Sequence, residues 1–242
     1  MPIDVDAVVL SNNRLSAEYN VVKLAAAEIG ASTRPGQFVM VKQELPLEPL
    51  LRRPFSVFEV LRDASGRVSG ISLLNKVVGD VTGMLYAIEP GERLQCLGPL
   101  GQPFSVIAPP STAWMVAGGV GLAPFFTLAE SLRAAGTTVT LFYGGRSASD
   151  LYYLDLFESL GVQTVLTTED GSRGESGLVT VPLERELDAH TEGALPAIYA
   201  CGPNGMMRAV VELAVQHGCR SEVSLEQVMG CGLGGCYSCV VP

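Results

Sequence analysis

Basic residues are scarce in this chain. Sixteen Lys and Arg stand against 25 Asp and Glu, for a net charge of −9. Such a surface repels phosphate backbones, which excludes general nucleic-acid binding and leaves only a local basic pocket for one nucleotide. Histidine is scarcer: His190 and His217 are the only two, both in polar or helix-end contexts. Both are read as ordinary surface residues, and no His/Asp/Ser constellation for nucleophilic catalysis is visible around them. Positive charge is missing from the N-terminus, "MPIDVDAVVLSNN", where a secretory signal needs it. An uninterrupted apolar span is missing too. The longest apolar stretch, "AWMVAGGVGLAPFFTLA", has three glycines and a proline at its centre. It reads as a buried strand, a turn and a helix rather than a membrane span. The six cysteines do not look like a secreted disulfide scaffold, so a cytoplasmic, reducing setting is expected.

What is present is ample apolar material. The chain has 242 residues, 48% of them hydrophobic, enough for one large domain or two modest ones. Short β-rich runs fill the first part: "DAVVLSNN", "YNVVKLAAA", "GQFVMVKQ", "FSVFEVL", "VSGISLLNKV" and "ERLQCLGPL". Gly, Pro and Asn interrupt them at short intervals, the pattern of an antiparallel barrel or sandwich. Near Ser105 the texture changes to strands alternating with helices, which argues for a parallel sheet covered by helices. "TAWMVAGG", "TTVTLFYGG", "VQTVLTTEDG" and "LPAIYACGP" read as strands. "PFFTLAESLRAAG", "DLYYLDLFESLG" and "NGMMRAVVELAVQHG" read as helices. The expected organisation is a β-barrel over 1–104, an α/β domain over 105–222 and a cysteine-rich segment over 223–242.

Two stretches of the second domain suit a nucleotide. In "VAGGVGLAPF", Gly118, Gly119 and Gly121 allow a tight turn, and Ala123-Pro124 open a helix whose N-terminal amides favour a pyrophosphate. In "YACGPNGMM", Cys201, Gly202 and Pro203 end a later strand on the same carboxyl side. A glycine turn that merely packs helix on sheet is the alternative. The barrel contributes "LLRRPFSVFEV", where paired arginines beside a strand start suit bidentate phosphate contact. A solvated barrel edge is the alternative there.

In order and separation, "RPFS", "GGVGLAP" and "CGP" resemble the ferredoxin–NADP reductase superfamily. The tail, "SLEQVMGCGLGGCYSCVVP", is similar to that of the electron-transfer subunit of type B dihydroorotate dehydrogenase. The resemblance covers essentially the whole chain. It implies that FAD would lie against Arg53, Pro54, Phe55 and Ser56, with Arg53 on its phosphates and Ser56 near the reactive edge of the ring. By the same resemblance Leu74, Asn75 and Lys76 would line the flavin site. Val81 and Thr82 would stand beside the pyrophosphate, although "GDVT" replaces the usual G-x-G-T, so that Val81 adds a Cβ and Asp80 a negative charge. Gly118, Gly119, Gly121, Ala123, Pro124, Cys201, Gly202 and Pro203 would frame NAD.

Cys231, Cys236 and Cys239 have the C-x4-C-x2-C spacing of a plant-type [2Fe–2S] loop. By the resemblance they are three of four cluster ligands. The fourth lies further along in the family, and this sequence stops at Pro242, so poor cluster binding is expected. Adventitious zinc, or a loop that holds nothing, are the other readings. The implied partner is an FMN-containing dihydroorotate dehydrogenase catalytic subunit, in a heterotetramer, with no nucleic acid and no membrane. Electrons would pass from it to NAD⁺ through [2Fe–2S] and FAD. The same cofactors serve a second reading, a subunit of an NADH-dependent ferredoxin:NADP oxidoreductase or a sulfide dehydrogenase. A third is a non-catalytic binding protein that has lost redox function.

Overall fold

The computed structural model describes residues 1–43, 50–191 and 193–240. It divides into two compact units, Met1–Phe104 with Gln227–Pro242, and Ser105–Glu226.

The first unit is built on β1 (Ile3–Arg14), β2 (Tyr19–Ala25), α1 (Ala27–Ser32), β3 (Phe38–Gln43), β4 (Arg53–Ser56), β5 (Glu59–Arg62), β6 (Val68–Lys76), α2 (Asp80–Ala87) and β7 (Arg93–Leu100). Seven strands form one antiparallel sheet in the order β4-β3-β7-β1-β2-β6-β5. It is a half-barrel, with β4 and β5 as its edges. Strand β7 shows why it curls around a core: Leu94, Cys96, Gly98 and Leu100 are buried and the residues between them are not. That period of two puts one face inward, where Val9, Val22, Leu24, Val39, Ile71 and Leu73 meet it. A register shift between Val9 and Ser11 bends β1. Pro54 sits in β4, an edge position, where a missing N–H costs least. Helices α1 and α2 were not expected from the sequence; each is a short turn of helix inserted between strands.

The second unit contains β8 (Ala113–Gly118), a 3₁₀ turn (Gly119–Leu122), α3 (Phe125–Ala134), β9 (Val139–Gly145), α4 (Leu154–Ser159), β10 (Gln163–Thr168), β11 (Glu175–Ser176), α5 (Thr180–Ala189), β12 (Ala197–Cys201), α6 (Asn204–Gln216) and β13 (Ser221–Ser224). The sheet runs β11-β10-β9-β8-β12-β13, and every pairing is parallel. Strand β12 is buried throughout, as a central parallel strand must be. Helix α6 buries Met207, Val210, Leu213 and Ala214, a helical stripe against the sheet. The helix expected over "DLYYLDLFESLG" is shorter than its pattern. Tyr153 adopts a left-handed φ of 58°, and α4 starts only after it. The sequence had not marked α5, β11 or β13.

The expected half-and-half architecture, an antiparallel flavin-type sheet followed by a parallel α/β sheet, is the one observed. Among the described residues no helix is long and apolar enough to cross a membrane.

Candidate functional site

The chain builds the second sheet outward from β8 to β9, β10 and β11, then returns to place β12 on the other side of β8. The switch point therefore lies between β8 and β12, where open α/β sheets bind ligands at their carboxyl ends. Both glycine motifs end there. Cys201 pairs with Ala117, one residue before Gly118. Pro124 caps α3 at the end of the first loop, and Pro203 caps α6 at the end of the second.

The glycines do more than turn. Gly119 has a φ of 55°, which suits glycine. A Cβ on Gly121 would collide with the carbonyl oxygen of Cys201. A Cβ on Gly118 would lie 2.7 Å from Pro203 Cδ and 2.9 Å from Met206 Sδ, and one on Gly202 2.9 Å from Gly118 N. The two loops thus pack backbone on backbone. The sequence treated them as two separate ligand loops and missed their contact, and Met206 with it. The outcome is a compact shelf beside the N-terminus of α3, the partly positive end of that helix. This fits the pyrophosphate of a dinucleotide.

Cys201 is not a nucleophile. Burial pushes its thiol up to about 12, so it remains protonated at neutral pH. Arg146, just past β9, is held by Asp150: the guanidinium Nε donates to Asp150 Oδ2 at 3.0 Å, and the Arg146 amide donates to the same oxygen at 3.1 Å. The Asp150 side chain is only 6% exposed.

In the first unit, all of Arg53, Pro54, Phe55 and Ser56 are half-buried along β4. Phe55 packs against the half-barrel core. Arg53 donates only to the carbonyls of Leu51 and Arg52, and among the described residues no carboxylate pairs with it. Its neighbour Arg52 differs, with an ion pair of 2.9 Å to Asp4. A guanidinium with no carboxylate partner among the described residues fits an anionic ligand. A shallow open depression is lined by Val41, Lys42, Gln43, Leu51, Val81 and Met84, so Val81 of α2 stands at its wall.

The other residues expected around the flavin have partners of their own within the half-barrel. Leu74 and Asn75 are both buried in β6. The Asn75 amide points inward because it donates to Asn20 Oδ1 at 2.7 Å and to the Thr82 carbonyl at 3.0 Å. The Lys76 ammonium sits 5.0 Å from the Tyr19 ring centroid, a cation–π contact. Thr82 spends its hydroxyl on its own loop, accepting from the amides of Val78 and Gly79 and donating to the Gly79 carbonyl. What remains toward a phosphate there is the first turn of α2.

The tail groups with the half-barrel. Gly232, with a φ of 69°, approaches so closely that a Cβ would lie 2.6 Å from Met40 Cγ. Cys231 Sγ accepts from the Leu233 amide at 3.3 Å, and Cys236 Sγ lies 3.2 Å from Ser238 Oγ. Ser238 was not anticipated; its hydroxyl two residues after Cys236 was the available signal. Among the described residues no three His, Cys, Asp or Glu side chains converge on one metal position. The donor set itself, three soft thiols on a loop with amides directed at sulfur, suits an iron–sulfur cluster. The Ser238 hydroxyl, followed by the Ser238 amide, lowers the Cys236 thiol to about 6. Cys236 is exposed, whereas burial pushes Cys96 and Cys201 up to about 12. In metal-free protein, alkylation at Cys236 should therefore rise through pH 6 and level off above it, with Cys96 and Cys201 silent at neutral pH. Peptide mapping after a brief iodoacetamide pulse at several pH values checks this; equal labelling of all cysteines would contradict it.

Known proteins match this geometry. The oxidoreductase NAD-binding domain family matches residues 115–212. The chain is 34% identical over 236 residues to the electron transfer subunit of dihydroorotate dehydrogenase B (NAD⁺) of Desulforamulus reducens, covering 98% of this chain and 87% of that one. It is 36% identical to the subunit of the same name from Enterococcus faecalis, over 96% of this chain and 86% of that one. Among solved structures it superposes on an NADH-dependent reduced ferredoxin–NADP oxidoreductase described for flavin-based electron bifurcation. The TM-score is 0.82 and the identity 26%, over 97% of this chain and 81% of that one. A ferredoxin NADP⁺ reductase from Neisseria gonorrhoeae with bound FAD and NADP, 16% identical with a TM-score of 0.75, shares the fold.

Proposed function

Because the chain belongs to the family of dihydroorotate dehydrogenase B electron-transfer subunits, we propose that it carries electrons from a dihydroorotate-oxidising partner to NAD⁺. It is an NAD-linked oxidoreductase subunit and works with a catalytic subunit. We assign that partner as an FMN enzyme in a heterotetramer of two copies of each chain, serving pyrimidine biosynthesis.

The observation that carries the reading is the backbone-on-backbone packing of the Gly118–Pro124 and Cys201–Pro203 loops at the switch point. Bound FAD and a [2Fe–2S] cluster supply the conversion between hydride and single-electron transfer, which no side chain of this chain offers. The residues supply position and electrostatics. Arg53 holds flavin phosphate, and Ser56 offers a hydroxyl on the same strand. The first turn of α2, at Val81 and Thr82, offers amides to the pyrophosphate. The first turn of α3 holds the nicotinamide nucleotide's phosphates. Cys231, Cys236 and Cys239 would supply three of the four thiolates that a cluster needs, and the low thiol pKa at Cys236 favours that form. Cys201 remains a protonated, buried packing group.

The test is an anaerobic titration of the purified chain with NADH, followed by mixing with the catalytic partner and dihydroorotate. NADH should bleach the visible flavin bands, and dihydroorotate should bleach them only when the partner is present. Flavin that dihydroorotate never reduces in the complex would overturn the assignment of the partner. A preparation without flavin would return the third reading, a binding protein.

The likeness to the NADH-dependent ferredoxin–NADP oxidoreductase keeps a second reading in view. Arg146 bears on it. An arginine after the second strand accommodates a 2′-phosphate only when its charge is available, and here Asp150 holds it. NADH should therefore reduce the flavin with a higher kcat/KM than NADPH, by about tenfold. An NADPH preference in steady-state assays would favour the second reading.

A further inference from the structure

Three asparagines lie side by side on the inner face of the half-barrel. Asn20 of β2 stands directly opposite Asn75 of β6. Asn12 of β1 stands opposite Val22, two residues from Asn20 and so on the same face. Asn20 and Asn75 are fully buried, at 0% and 1% exposure. A buried carboxamide is costly unless its hydrogen bonds are made. Here both N–H groups of each amide are used, and Asn75 Oδ1, at the end of the chain, has no partner among the described residues. Asn12 Nδ2 donates to the carbonyls of Tyr86 at 3.0 Å and Ile88 at 2.7 Å. Asn20 Nδ2 donates to Asn12 Oδ1 at 2.7 Å and to the Leu85 carbonyl at 3.0 Å. Asn75 Nδ2 donates to Asn20 Oδ1 and to the Thr82 carbonyl.

All four of the backbone acceptors lie on α2 or at its cap. The carbonyls of Leu85 and Tyr86 belong to the last turn, which has no partners within the helix. The chain of amides therefore caps α2 at its C-terminus, and through Asn75 it also grips Thr82 in the first turn. Thr82 is then held twice, by its carbonyl to Asn75 and by its hydroxyl to the Val78–Gly79 amides. Apolar packing is a weak alternative anchor, because Leu85 is the only buried residue of this eight-residue helix. Sparse apolar packing tolerates sliding and rotation; directional hydrogen bonds from three adjacent strands do not.

We propose that Asn12, Asn20 and Asn75 are positioning residues for the phosphates of the flavin dinucleotide. They fix α2 along the strands and thereby fix the first-turn amides that face those phosphates. The proposal rests on the assignment of FAD to the Arg53–Ser56 strand and the first turn of α2. Asn75 is then a residue that acts through Thr82 and not by touching the flavin.

The experiment compares two ligands on the full-length chain: FAD, and riboflavin, which has the same ring and no phosphate. Dissociation constants are read from flavin fluorescence. In Asn75→Leu, FAD binding should weaken by about tenfold, and riboflavin binding should stay within about twofold of wild type. Asn12 is only half-buried, so Asn12→Ala keeps the fold and should shift FAD alone, by about threefold. Equal weakening of both ligands would reduce the amides to general packing, and no change in either would remove them from the flavin site; both outcomes overturn the proposal. A separate arm guards the assignment beneath it. If the wild-type chain bound FAD no more tightly than riboflavin, the phosphate site itself would fall, and the proposal with it.

Discussion

Gly121→Ala is expected to lower the unfolding free energy by about 2–3 kcal/mol and to abolish flavin reduction by NADH. The added methyl collides with the carbonyl of Cys201, which is backbone and cannot swing aside as a side chain would. Either the 3₁₀ turn or the Cys201–Pro203 loop must retreat. The shelf at the switch point opens, and the amides of α3 no longer converge on the pyrophosphate. Gly205→Ala is the matched control. Gly205 lies in the first turn of α6, two residues past Pro203, and a Cβ there meets nothing within 4 Å. That substitution should be neutral or stabilise by about 0.5–1 kcal/mol, since glycine is the poorer helix former. Denaturant unfolding and NADH titration of both variants decide the matter. Equal shifts would mean that the loops do not depend on close approach.

Arg53→Gln should weaken FAD binding by about ten- to a hundredfold, the range expected for one charge-assisted hydrogen-bonding group. The loss should leave stability nearly unchanged, because among the described residues Arg53 has no carboxylate to abandon and bonds only two neighbouring carbonyls. Arg52→Gln makes the opposite trade. It removes the pair with Asp4, whose carboxylate side chain is 57% exposed, so stability should fall by no more than about 1 kcal/mol. FAD affinity should stay within about twofold of wild type. Adjacent arginines of one charge and one sequence context are separated here only by where their guanidinium groups find partners. If both variants lost FAD equally, a general positive field, and not a contact from Arg53, would hold the flavin.

Much of this was legible because it is local. Period-two burial in β7 and the helical stripe of α6 follow directly from side-chain spacing. "AWMVAGGVGLAPFFTLA" announced strand, turn and helix through its own glycines and proline, and the structure has all three. The order of "RPFS", "GGVGLAP", "CGP" and the cysteine run was enough to reach the family. Short elements were harder. Helix α2, with glycine at its cap and again at its centre and with one buried residue, has almost no periodicity to read. Helix α4 begins late because Tyr153 takes a left-handed φ that its sequence does not advertise. Asn20 and Asn75 did leave a trace, each a lone amide in a strand of apolar neighbours.

By itself, then, the sequence determined the two sheet types, their order and the family, since each rests on residues within a few positions of one another. Only the tertiary structure decided which glycine serves which contact: a Cβ on Gly121 would meet Cys201, eighty positions away. Likewise it made Asn75, a candidate flavin-lining residue in the sequence, one end of an amide chain whose longest links span 55 to 76 residues. It also brought the cysteine tail back against Met40 of the half-barrel. Contacts of this kind impose no period on the chain. They are chosen by which surfaces meet when the strands have paired, and a hydrogen bond or a missing Cβ takes its meaning from that meeting.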